Sequence, residues 1–267
     1  MTLHDLFELD IAIERDIRYL PGENPRHLLD VYAPRDAAGL PVVLFFYGGG
    51  WRSGDKRLFE HLGRAFAARG IIAVTVNYRL TPAVRSPAHA QDCAAALRWA
   101  YDSIAGYGGN PEAIFLSGHS AGGHLGALVT MDERYLAGAG LDPEVVRGCV
   151  IISGATDLRL HSETTVYTAK EYIEQAFGST QEELAAASPI AYVRSGLPPF
   201  LVIVAELDPP GLREQGRRFA DSLRDAGNDV RFMSVKGRDH FSIVRRFGPS
   251  DDATCGAMVG FIRHYAR

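Results

Sequence analysis

Short apolar runs, closed by glycine or proline and separated by stretches of helical period, recur along most of this chain. Leu28–Ala33 reads as a strand stopped by Pro34. Pro41–Tyr47 and Ile71–Val76 are apolar almost throughout, as central parallel strands covered on both faces should be. Ala113–Ser117, Gly148–Ser153, Pro199–Ala205 and Asp229–Val235 complete the set. Between them lie helical patterns at Lys56–Arg69, Pro87–Ile104, Ala121–Met131 and Gly211–Ala226, with a closing helix at Ala253–Tyr265. Near the start, Asp16–Leu20 alternates and is bounded by Pro21-Gly22, which predicts an edge strand. Before it, Leu3, Leu6, Phe7 and Ile11 share one face of a short helix or arm. Strand and helix alternate, so the predicted class is α/β: a mostly parallel central sheet with helices on both faces. In open sheets of this kind, ligands bind off the carboxyl ends of the strands.

One region breaks the alternation. Residues 154–198 carry no strand pattern and are too long for an ordinary connection. Within them Val166, Ala169, Ile173 and Phe177 fall on one helical face, with Lys170, Glu171 and Glu174 off it. This predicts a small helical cap inserted over the sheet end; a plain crossover helix with a long loop is the alternative.

Composition narrows the classes. A chain of 267 residues with 46% hydrophobic content can bury one large core, so residues 1–267 are read as one domain. The net charge is −4, with both signs mixed along the chain. That argues against nucleic acid and against an anionic membrane surface. The first ten residues are acidic where a secretory leader would be basic, and no stretch approaches the roughly 20 apolar residues of a membrane span. Cys93, Cys149 and Cys255 are far apart, odd in number and in no metal spacing. They read as small buried hydrophobes in a reducing compartment, with the cytoplasm as the expected location.

Candidate chemistry centres on Ile114–His124, where a buried strand runs through Gly118-His-Ser-Ala-Gly122 into a helix. A serine at so sharp an elbow takes a strained conformation and projects its hydroxyl clear of the sheet. Glycine is required two residues either side, because a Cβ would strike the neighbouring strand or helix. A Gly/Ser-rich loop without chemistry is the alternative. Ser120 needs a base, and an imidazole with an ordinary pKa of about 6.5 suits work near neutrality. His240 follows the last predicted strand in a loop able to reach back over the sheet. His119 should point elsewhere, and His124, one helical turn on, should pack beneath the pocket. Their spacing is not that of a zinc site, so no metal and no cofactor is expected. The acid that orients the base is Asp208, after the Phe200–Ala205 run, with Asp157 and Glu206 as alternatives; Asp239 should face away. Donors for a tetrahedral oxyanion are the backbone N–H groups of Ala121, Gly48 and Gly49, the glycines lying in Tyr47-Gly-Gly-Gly-Trp51. That loop lacks the Lys-Ser/Thr of a phosphate loop. Tyr47, Trp51, Tyr78, His119 and Phe241 are the expected pocket wall.

Taken together, Leu29-Asp-Val-Tyr-Ala-Pro34, Gly48-Gly-Gly-Trp51, Asn77-Tyr-Arg-Leu80, Gly118–His124, Glu206-Leu-Asp-Pro209 and Asp239-His-Phe-Ser-Ile-Val244 resemble the α/β-hydrolase superfamily. More narrowly, they resemble hormone-sensitive-lipase-like carboxylesterases and the kynurenine formamidase group. The resemblance spans roughly residues 28–264 and implies Ser120 as nucleophile, Asp208 as acid and His240 as base, in that group's chain order. It also implies Gly48, Gly49 and Ala121 as oxyanion donors. Tyr47 stands where these loops usually carry histidine, and His119 where the lipase-like elbow carries aspartate. The expected activity is serine hydrolysis of small to medium neutral carboxylic esters. An aryl formamide substrate of the N-formylkynurenine type is the alternative, and a non-catalytic ligand receptor a remote one. Small-molecule substrates are the expected partners; oligomeric state, a homodimer included, is left open.

Overall fold

The computed structural model describes residues 2–7, 9–160 and 167–267. Eight strands form one sheet: β1 (Ile11–Arg18), β2 (Leu28–Pro34), β3 (Leu40–Phe46), β4 (Ile72–Val76), β5 (Gly109–His119), β6 (Val146–Ile152), β7 (Phe200–Ala205) and β8 (Val230–Val235). Their spatial order is β1-β2-β4-β3-β5-β6-β7-β8. β2 runs antiparallel to both its neighbours, and β4, β3, β5, β6, β7 and β8 are mutually parallel. This is the α/β-hydrolase arrangement.

The first strand departs from expectation. It begins at Ile11, five residues before the predicted edge strand, because pairing with β2 extends it past a bulge between Glu14 and Ile17. Ile11 therefore belongs to the sheet, and the preceding helix, α1, covers only Leu3–Phe7. β5 is also longer than its apolar core, since its polar start at Gly109 pairs with Leu40.

Parallel strands force each return crossing into a helix. Ring contacts and close approaches, such as that of Gly126 to the Phe46 ring, show which face several helices cover. Phe261 of the closing helix meets Phe115 of β5, and Phe59 meets Phe45 of β3, on one side. On the other lie α2 (Ala121–Met131) and α3 (Pro210–Asp225), whose Phe219 meets Phe200 of β7. Cys93, Cys149 and Cys255 are buried free thiols within this packing. Among the described residues no helix is long and apolar enough to cross a membrane.

Between β6 and β7 the chain forms α4 (Tyr167–Phe177), α5 (Gln181–Ala186) and a short turn of helix at Pro189–Tyr192. Val166 of the predicted apolar face lies outside the described residues, while Ile173 and Phe177 are buried as that face required. Thr180 and Glu183 form a reciprocal cap at the start of α5. Main-chain bonds dock α4 on the body: Ser86 N–H donates to the Ala176 carbonyl at 2.7 Å. Arg85 donates to the Glu174 carbonyl at 3.1 Å.

A groove of about 820 Å³ runs along the helix Ala88–Ser103, beside Trp99 and Tyr135. It contains none of Ser120, Asp208 and His240, and the arginines along it are taken by carboxylates, Arg79 by Asp92 and Arg98 by Asp102.

Candidate active site

Ser120 is the N-cap of α2, at φ 52° and ψ −119°, a region that side-chain-bearing residues seldom occupy. Two close approaches impose this. A Cβ on Gly122 would run into the Phe46 carbonyl of β3, and one on Gly118 into the backbone of Gly122. Only with both glycines can helix and strands approach closely enough to push the intervening serine outward. Ser120 N–H is fixed by the Ile152 carbonyl at 2.9 Å.

His240 reaches the serine from the loop after β8. Its Nε2 lies 3.0 Å from Ser120 Oγ, and its Nδ1 lies 2.7 Å from Asp208 Oδ1. Asp208 follows β7 and is buried. Its second oxygen, Oδ2, accepts from Ser153 Oγ at 2.5 Å and from Ala205 N–H at 2.7 Å. Burial alone would raise the Asp208 pKa, but hydrogen bonds from His240, Ser153 and the Ala205 amide outweigh it and hold the carboxyl below its ordinary value. The carboxylate form is therefore the one facing the imidazole.

The other acids are committed elsewhere. Asp157 pairs with Arg159 at 2.9 Å. Glu206 accepts from Gly237 N–H at 2.8 Å, closing the turn that leads to His240. Asp239 accepts from Phe241 N–H and Ser242 N–H, so its carboxylate shapes the loop and does not face the imidazole.

Gly48 packs directly on the serine: an added Cβ would stand 2.9 Å from Ser120 Cβ. Gly49 and Gly50 take φ of 138° and 59°, and Trp51 follows at φ 58°. The N–H groups of Gly48, Gly49 and Ala121 have no acceptor among the described residues. Ala121 opens α2, whose N-terminal end favours negative charge.

Three of the expected wall residues sit behind this loop instead of lining an open pocket. Tyr47 and Tyr78 are fully buried and stacked, ring centroids 4.7 Å apart. The Tyr78 hydroxyl donates to the Tyr47 carbonyl at 2.8 Å, and the Tyr47 hydroxyl accepts from Arg26. Arg26 also donates to the Gly54 carbonyl at 3.0 Å, so this guanidinium staples both ends of the glycine loop. Trp51 turns inward too, because its indole finds a buried acceptor. It donates to His124 Nδ1 at 3.2 Å, and His124 Nε2 donates to the Ala187 carbonyl at 2.7 Å. His124 thus packs beneath the elbow as expected, linking the glycine loop to the segment after α5. His119 is buried behind His240. Phe241 remains at the mouth, 58% exposed, with Leu207 63% exposed on the adjoining loop.

Ser153, Arg26 and Tyr172 were not legible as site residues. Ser153 carried one faint sign, its place just past the end of β6; it sits at φ 48° with its hydroxyl on Asp208. Tyr172 of α4 lies over the glycine loop, against Gly50, with Arg52 above its ring at 4.3 Å.

The BD-FAE family model matches residues 29–223, which include the glycine loop, the elbow and Asp208. The chain belongs to the BD-FAE family. Its relatives include Esterase LipQ of Mycobacterium tuberculosis, 34% identical over 79% of this chain and 53% of that protein. Kynurenine formamidase of Danio rerio is 28% identical over 86% of this chain and 75% of the relative. Among solved structures, a hyperthermophilic esterase from Pyrobaculum calidifontis superposes with a TM-score of 0.83 at 29% identity, covering 99% of this chain and 89% of that one. Matches to the first three curated relatives cover 53%, 62% and 52% of their length, so this BD-FAE chain spans about half to three-fifths of each.

Proposed function

We propose that this chain is a serine carboxylic-ester hydrolase. The reading rests on one observation: Ser120 Oγ, the His240 ring and the Asp208 carboxylate form a continuous hydrogen-bonded line, with 3.0 Å and 2.7 Å steps. His240 Nε2 takes the Ser120 proton as Oγ bonds to the acyl carbon. Asp208 keeps the proton of His240 on Nδ1 and stabilises the imidazolium. The carbonyl oxygen becomes an oxyanion, and the N–H groups of Ala121, Gly48 and Gly49 serve as its donors. Collapse breaks the ester C–O bond, and the imidazolium gives its proton to the departing alkoxy oxygen. Water, deprotonated by the same imidazole, then attacks the acyl-enzyme and frees the acid and Ser120.

Esterase names among the relatives support an ester as substrate. The apolar rim of Phe241 and Leu207 suits small to medium neutral esters. We read residues 154–198 as a cap on one hydrolase domain, with Tyr172 and Phe177 forming its inner side. The buried unpaired thiols favour a reducing compartment, and the cytoplasm is our placement.

Aryl formamide hydrolysis is the second reading, favoured by the formamidase relative. It needs the same three side chains and changes only the bond broken. A side-by-side assay of p-nitrophenyl butyrate and N-formylkynurenine, with the Ser120→Ala protein as blank, separates the two. We expect the ester to turn over faster. No turnover of either above the blank, together with no labelling of Ser120 by an organophosphate, overturns the serine-hydrolase reading.

A further inference from the structure

We propose that His119 is a positioning residue for the catalytic base, holding the main chain of His240 in place while bearing on the glycine loop. The inference rests on the serine-hydrolase reading above. His119 Nε2 lies 2.7 Å from the His240 carbonyl oxygen. A carbonyl only accepts, so Nε2 carries the proton and donates. The two rings lie 4.7 Å apart, centre to centre, and 44° from parallel, so His119 forms a wall against which the His240 imidazole rests. The opposite edge of His119 bears on the loop: an added Cβ on Gly48 would approach His119 Nδ1 to 2.8 Å. One buried ring therefore touches both the loop that carries the base and the loop that carries the oxyanion donors.

The other ties on the main chain of the base loop act beside residue 240. Leu207 N–H donates to the Arg238 carbonyl at 2.9 Å, and Glu206 holds Gly237. Asp239 and Ser242 close a local turn. The bond from His119 falls on residue 240 itself, at the point where a small rotation of the main chain would swing the imidazole off Ser120. Burial, with the neighbouring His240 adding to it, pushes the His119 pKa down to about 3. The ring so stays neutral and does not oppose the positive charge that His240 gains in the transition state.

The test compares His119→Gln with His119→Met. The glutamine amide nitrogen reaches about as far as Nε2 and can donate to the carbonyl; methionine has similar length, packs adaptably and donates nothing. The readout is the rate at which a fluorophosphonate labels Ser120, which needs no knowledge of the natural substrate. Thermal melting is followed alongside to confirm that each variant is folded. Misplacing a reacting group by about 1 Å costs on the order of 10²-fold. We expect His119→Met to label roughly 10- to 100-fold more slowly than the wild type, and His119→Gln to recover most of the rate. With p-nitrophenyl butyrate the loss should fall on kcat, with KM near the wild-type value. Equal labelling of folded Gln and Met variants, or a Met variant within about 2-fold of wild type, overturns the role of His119 alone. Failure of the wild type to label at Ser120 removes the nucleophile reading and this inference with it.

Discussion

Ser120 sits in backbone strain of about 1–3 kcal/mol, tolerated because the strands and α2 on either side leave it no other path. Gly122 is the residue that permits this. Gly122→Ala places a methyl group against the Phe46 carbonyl, so the elbow must open or the sheet must shift. We expect a loss of at least about 2–4 kcal/mol, read as a lower urea midpoint, with Ser120 labelling lost in parallel. An unchanged midpoint would mean that the elbow is looser than described. Ser120→Ala and His240→Ala should each reduce turnover towards the roughly 10⁶-fold loss typical of such residues, with the fold intact by circular dichroism. Asp208→Asn should cost on the order of 10⁴-fold, because the amide favours the wrong imidazole tautomer. A near-normal Asp208→Asn protein would remove the acid from the line.

Individual elements place these side chains through polar ties as much as through apolar packing. The glycine loop leads into the turn of 3₁₀-helix Lys56–Phe59, and there a lysine ammonium is almost wholly buried. Lys56 Nζ pairs with the buried Asp30 of β2 and lies 2.7 Å from Asp16 in the β1 bulge. Its backbone N–H donates to Asn77 at 2.8 Å, just past β4. One residue thus fastens the exit of the loop to β1, β2 and β4. Lys56→Ala takes the ammonium from the buried Asp30, leaving it the Asp16 N–H at 2.8 Å and Arg15 at 3.9 Å, and breaking a buried ion pair costs about 3–5 kcal/mol. Urea unfolding should show a loss of that size; a cost below about 1 kcal/mol would mean that water replaces the ammonium. Trp51→Phe keeps an aromatic ring against Phe177 but removes the donor to His124. It should cost about 1 kcal/mol in stability and lower kcat more than it changes KM.

Stability of the molecule should fall on mild acidification, and buried histidines set the sign. Burial pushes the His119 pKa down to about 3 and the His89 pKa down to about 4. In the unfolded chain both take up a proton near pH 6.5. Between about pH 6.5 and 4 the unfolded state therefore binds more protons than the native one, and stability falls as pH falls. The slope approaches roughly 1.4 kcal/mol per pH unit for each histidine. Asp208 adds its loss only lower down, since its lowered pKa makes its contribution disappear as pH drops through the carboxylate range. Urea titrations at pH 7, 6 and 5 should show progressively lower midpoints, and His89→Phe should flatten the trend. A wild-type midpoint constant from pH 7 to 5 would contradict the neutral, buried state of these rings.

Local sequence determined the α/β class, the elbow at Ser120, the glycine loop and the candidates His240 and Asp208. Each of these depends on short-range rules: apolar runs, glycines where a Cβ cannot fit, acids and bases just past strand ends. The choice of Asp208 over Asp157 and Glu206 was different. All three follow strands, and only the folded chain gave Asp157 to Arg159, Glu206 to Gly237 and Asp208 to His240. Tyr47, Tyr78 and Trp51 look from sequence like pocket aromatics, yet each turns away because a polar partner waits behind the loop: Arg26, the Tyr47 carbonyl and His124. Those partners come from distant parts of the chain, and no spacing rule connects them. Where a backbone must bend is written in its neighbours; which way a long polar side chain turns depends on what the completed fold places within its reach.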